Sequence, residues 1–139
     1  MVEVKAGTSL PPAVRDFLAQ PRYAVIATVN PDGSPHQAVV WYLLEGDMIV
    51  LNSKVGRRWP ENARRDPRVS LVAEEGDDYA VVAGTLEEIA GGETAGEHIA
   101  RMAFLYYGPE KAAREAAAFR TQERISFRLL PRRAEMRKG

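Results

Sequence analysis

Tyr23-Ala24-Val25-Ile26-Ala27-Thr28-Val29-Asn30-Pro31-Asp32-Gly33-Ser34-Pro35 decides the fold. Its first seven residues are largely apolar and rich in β-branched side chains, which suits a strand buried on both faces. Asn30-Pro31-Asp32-Gly33 then reverses the chain. Proline presets φ at the first central position and glycine accepts the left-handed one, so the four residues fit a type I turn with a bulge. No other stretch of the chain carries as strong a hairpin signal.

Working downstream, a return strand is expected over Pro35 to Leu44, and Glu45-Gly46-Asp47 turns into a third strand, Met48 to Asn52. Lys54 to Arg65 has helical tendency, with Pro60 marking a new first turn and Asp66-Pro67 ending it. Val69 to Glu74 and Tyr79 to Ile89 predict a fourth and a fifth strand, with Gly84 as a bulge or bend point. Gly91-Gly92 breaks the pattern, and Thr94 with Glu97 forms a capping-box pair ahead of a helix. Gly108-Pro109 separates that helix from an alanine-rich one, Glu110 to Phe119. Ile125, Phe127 and Leu129 alternate in a sixth strand, and Arg132 to Gly139 forms a basic tail. Upstream, Ser9 can cap a helix whose apolar face is Val14, Phe17 and Leu18. Six mainly antiparallel strands with short turns imply one mainly β domain over 1–139, a closed or partly closed barrel with flanking helices.

The bulk numbers narrow the function. The 139 residues are 45% hydrophobic and 27% charged, and the formal net charge is zero. Nothing pulls such a chain onto nucleic acid or an anionic membrane. Cysteine is absent, which excludes disulfides, thiolate catalysis and Cys-ligated metals. No apolar run is long enough to cross a bilayer and the first residues lack a signal-peptide core, so a cytoplasmic protein is expected. The two histidines, His36 and His98, lack metal-ligand spacing, and no nucleophile elbow, Walker loop or dinucleotide fingerprint is present. If the protein is an enzyme, a cofactor carries the chemistry.

Asn52-Ser53-Lys54-Val55-Gly56-Arg57-Arg58-Trp59 is where such a cofactor would be anchored. Strand, polar turn and helix start place backbone N–H groups and a helix dipole together. Arginines there add charged forks matched to phosphate. Arg57 and Arg58 bind an anion or form a solvated basic face. Trp59 stacks on a ligand or is a buried core residue. His36 sits at the start of the second strand, near a ligand or partly exposed. Trp41 and Tyr42 point to opposite faces. Tyr79 and Tyr107 are possible proton donors, and His98 is an exposed or satisfied packing residue.

The hairpin Ala24 to Pro35, Gly56-Arg57-Arg58 with Asn62-Ala63-Arg64-Arg65-Asp66-Pro67-Arg68-Val69, and the strand around Gly84-Thr85 together resemble one family. It is the pyridoxamine 5′-phosphate oxidase-like split β-barrel superfamily, six-stranded and antiparallel, and within it the branch that uses the deazaflavin F420. The resemblance implies a homodimer with cofactor sites at the interface. It implies that Arg57 and Arg58 contact the cofactor phosphate, with Asn52, Ser53 and Trp59 beside it, and that Gln37, Ala38, Val39 and Val40 line the ring. The implied activity is hydride transfer between F420 and a small unsaturated substrate. Members of the superfamily also hold FMN or haem, so an FMN-dependent oxidase or reductase, or a non-catalytic flavin or haem carrier, are the alternatives. F420-using relatives often carry cations where Trp59 and Glu61 stand. The further basic residues that hold the substrate phosphate in true pyridoxamine 5′-phosphate oxidases are not identifiable.

Overall fold

The structure, a computed structural model, describes residues 2–3 and 10–139. The cap expected at Ser9 lies outside the described residues. In chain order the elements are β1 (Val2–Glu3), α1 (Pro12–Leu18), β2 (Ala24–Val29), β3 (Pro35–Val40), β4 (Leu43–Glu45), β5 (Met48–Lys54), α2 (Arg58–Arg65), β6 (Arg68–Glu75), β7 (Asp78–Gly91), α3 (Gly92–Tyr107), α4 (Pro109–Arg120) and β8 (Arg124–Arg137). The fold is a mainly β, antiparallel split barrel with flanking helices.

The hairpin forms as its turn chemistry dictates. Gly33 has φ +87°, its N–H donates to Asn30 O at 2.9 Å, and Asn30 N–H donates to Ser34 O at 2.8 Å. β2 and β3 then pair from Ala24↔Val40 to Val29↔Pro35. The sheet runs β3-β2-β6-β7-β8-β5-β4, with β1 added on β8. Its two terminal strands, β3 and β4, are joined only by Trp41 and Tyr42, so the ends of the path lie side by side. The sheet curls around a core that includes Ile26, Leu51, Leu71, Val82 and Phe127, one large side chain from each of five strands.

Four expectations need correction. The return strand is not continuous. Tyr42 N–H leaves the ladder and donates to Tyr106 Oη at 3.1 Å, so β3 and β4 are separate strands. The division, together with the two-residue β1, raises the strand count among the described residues from six to eight. The basic tail is not a tail: Arg133, Ala134, Glu135, Met136 and Arg137 continue β8 as partners of β7. Ala134 is fully buried while its arginine neighbours point outward, so charge hides the alternation. The capping box is not used. α3 starts at Gly92, no side chain caps it, and Thr94 and Glu97 are exposed.

Gly84 does mark a bulge, at a register shift against β8. A Cβ there would stand 1.9 Å from Leu130 O. Only glycine lets the two backbones approach so closely. Pro60 likewise falls in the first turn of α2, which begins at Arg58 rather than Lys54.

Candidate functional site

A cleft of about 440 Å³ opens where the two ends of the sheet face each other. Ala38, Val39 and Val40 border it from β3, Asn52 and Ser53 from β5, and Arg57, Arg58 and Trp59 from the start of α2. The helical pair closes it with Ile99, Met102, Tyr107 and Phe119. Eight of the nine site residues expected from sequence thus come together, and Gln37, exposed on the edge strand, is the one left out.

α2 is held in place by the segment that follows the two arginines. Asn62 is buried, and its Nδ2 donates to Thr28 Oγ1 at 3.2 Å and to Asn30 Oδ1 at 3.1 Å. Its Oδ1 accepts from Arg65 Nη1 at 3.2 Å, and Arg65 also donates to Val29 O. The helix is thereby stapled to the hairpin turn, and Arg58 Nη1 reaches Asn30 Oδ1 at 3.5 Å. Arg64 and Arg68 do not join the site. They pair with Glu88 at 3.0 Å and Asp66 at 2.7 Å.

The electrostatics of the cleft centre on a residue that sequence reasoning missed. Arg124, the first residue of β8, is only 8% exposed and lines the cleft. Its Nε donates to Asn52 Oδ1 at 2.9 Å and its Nη1 to Gln122 Oε1 at 2.7 Å. Its guanidinium carbon lies 5.8 Å from the Phe119 ring centroid. Burial, and then the charge of Arg57, bring its pKa down to about 10. Among the described residues no carboxylate pairs with Arg57, Arg58 or Arg124 within salt-bridge distance. An unneutralised buried cation is costly unless something anionic joins it. A lone arginine at the start of a strand carries no motif, and its contact with Asn52 spans the chain, so sequence offered no signal for it.

Trp59 is 4% exposed and packs on Phe127, ring centroids 5.5 Å apart, so it is a core residue whose edge reaches the cleft. Glu61 turns outward to Arg64, 3.6 Å away. Asn52 spends its amide inside the protein. Its Nδ2 donates to Ala95 O and to Ser126 Oγ, both at 2.9 Å. The second wall is aromatic. Trp41 borders the cleft, stacked on Tyr106 at 5.0 Å and met edge-on by Tyr107 at 4.8 Å, while Tyr42 turns into the core. Tyr23 and His36 complete the rim. His98 is buried beneath the cleft wall, its Nδ1 2.7 Å from Ser126 Oγ. Tyr79 is not among the cleft residues.

The split barrel thus carries a cationic, half-aromatic cleft at its open seam. The chain belongs to the pyridoxamine 5′-phosphate oxidase family, whose model matches residues 10–128. No curated protein matches it. Among solved structures, it is similar to a conserved hypothetical protein from Mycobacterium tuberculosis, 25% identical, with 98% of this chain and 89% of that one covered and a TM-score of 0.78. It is also similar to an F420 reductase, 23% identical over 91% of this chain and 98% of the other, TM-score 0.73. A third is HutZ, the haem storage protein of Vibrio cholerae, 18% identical over 92% and 94% of the two chains, TM-score 0.68. At these identities the last two establish a shared fold.

Proposed function

We propose that the cleft holds a phosphate-bearing cofactor of the flavin type, F420 first and FMN second, and that the protein is an oxidoreductase acting on a small unsaturated substrate. One observation carries this reading: Arg57, Arg58 and Arg124 border one cleft without a carboxylate among them. Three guanidinium groups that make no ion pair among the described residues suit a phosphate and the carboxylates of a deazaflavin tail. Trp59 and Glu61 do not weaken the arrangement, because Trp59 belongs to the core and Arg124 supplies a third cation. When bound, the cofactor would supply hydride chemistry that no side chain here can provide.

The chain's own part is to bind, orient and exclude water. Arg57 and Arg58 bind the phosphate, Ala38 to Val40 offer an edge-strand backbone and apolar side chains to the ring, and Ile99, Met102, Tyr107 and Phe119 keep water from the reacting face. Tyr107 is the hydroxyl on the helical wall of the cleft, and it can hold a proton near a substrate. The functional unit is a homodimer with the cleft at its interface. Tyr23 and Val39, 61% and 69% exposed on the rim, are apolar surface that a partner would cover.

Titration decides the cofactor. Quenching of F420 fluorescence at lower protein concentration than FMN binding requires supports the leading reading. No F420 binding at millimolar concentration overturns it. A haem carrier is the second reading, because His36 stands on the cleft rim. A Soret band on haem addition that is lost in His36→Ala would select it.

A further inference from the structure

We propose that His98 is a positioning residue for the cleft: through Ser126 and Asn52 it holds the Arg124 guanidinium at the anion-binding end. The inference rests on the cleft's role as an anion site. Arg124, Asn52, Ser126 and His98 are each no more than 9% exposed and form one chain of contacts.

The direction of its first two hydrogen bonds follows from its members. Arginine only donates, so Asn52 Oδ1 accepts from Arg124 Nε. Asn52 Nδ2 then faces two acceptors, Ala95 O and Ser126 Oγ. Ser126 Oγ accepts from Asn52 and has its own proton left for His98 Nδ1, 2.7 Å away. On its other side the imidazole turns Nε2 to Glu45 Oε1, 3.7 Å away. Glu45 is held from outside by Arg101. The contacts therefore lead from a cation in the cleft to a carboxylate at the protein's edge. Aligned hydrogen bonds polarise one another, so the chain stabilises the buried charge of Arg124 without placing an anion beside it. A carboxylate in direct contact would compete with the ligand, and the relay avoids this.

Without the relay, Arg124 keeps its hydrogen bond to Gln122, on the segment after α4, and its place beside the Phe119 ring. The guanidinium is then free to turn away from the cleft. The effect on anion affinity should match the loss of one buried hydrogen bond near a charge, roughly tenfold.

The test uses inorganic pyrophosphate as the anion, with binding to the full-length protein measured by calorimetry. Ser126→Ala, a small change that cuts the chain, and His98→Leu should each weaken binding about tenfold. His98→Asn, whose side-chain oxygen can take the place of Nδ1, should stay within about threefold of the parent. Arg124→Gln should weaken binding at least as much as His98→Leu. The Arg124→Gln/His98→Leu double variant should bind no worse than Arg124→Gln alone, because the two act as one unit. Additive losses in the double variant, unchanged binding in both His98→Leu and Ser126→Ala, or equal loss in His98→Asn and His98→Leu would each overturn the positioning role. Unchanged binding in Arg124→Gln, or no pyrophosphate binding by the parent, would overturn the anion site and this inference together. Pyrophosphate binding without F420 or FMN binding would remove the cofactor reading alone.

Discussion

Arg57 and Trp59 stand two residues apart and serve opposite ends of the protein's physics. Arg57 is exposed at the mouth of the cleft, while Trp59 is buried against Phe127. Arg57→Ala should therefore weaken binding of the cofactor tenfold or more, the usual cost of a charge-assisted bond. The melting temperature of the cofactor-free protein should barely move, since exposed substitutions usually stay within about 0.5 kcal/mol. Titration and a melt on one sample check both halves. Trp59→Ala should do the reverse, costing about 3–5 kcal/mol of stability through the cavity it leaves. Urea denaturation reads that loss directly. The neighbouring Asn52 shows how a residue type misleads: its position beside the arginines suggests a ligand contact, yet its amide is committed to Ala95, Ser126 and Arg124.

Among the elements, the hairpin was legible because its information is local. Proline and glycine at fixed offsets determine Asn30 to Gly33, and the register of β2 and β3 follows from the turn. The second half of β8 was not legible. Its inward residues include the small Ala134, and arginines crowd the outward positions, so hydropathy shows a basic segment instead of a strand. The break at Trp41-Tyr42 was equally hidden, because it depends on Tyr106, a residue on α3. Gly84 lies between these cases. Its sequence context suggested a bulge, and the structure adds the reason, the carbonyl of Leu130 against its Cα. Gly84→Ala should cost about 3 kcal/mol, since the obstacle is backbone and cannot rotate aside. A thermal melt of that variant beside Gly96→Ala, whose added methyl would meet open space on α3, separates the bulge from a general intolerance of change.

For the molecule as a whole, the exposed rim is the feature that calls for explanation. Val39, Tyr23, Phe104 and Leu105 are all large apolar side chains in solvent, and the first two border the cleft. Val39→Asp should shift the protein from dimer to monomer in sedimentation velocity and weaken cofactor binding with it, because a cleft at an interface loses a wall when the interface opens. A monomeric parent would remove the dimeric arrangement from the proposal. The candidate site was legible only where it follows the chain. Arg57, Arg58 and the β3 backbone lie in recognisable segments, whereas Arg124, Gln122 and Trp41 meet them through the closure of the sheet.

The helical pair has one more implication. β7 and β8 pair along their length, and Gly91 still faces Ile125 at the point where α3 and α4 depart and return. Both helices are thus a single excursion from one hairpin, entering and leaving the barrel at adjacent points. The excursion is also tied to the cleft's buried cation, because Ala95 and His98 on α3 hold Asn52 and Ser126, and Gln122 after α4 holds Arg124. On the proposed function, a change in this excursion would be felt at Arg124 as well as at the substrate wall, so the two ends of the cleft would drift together.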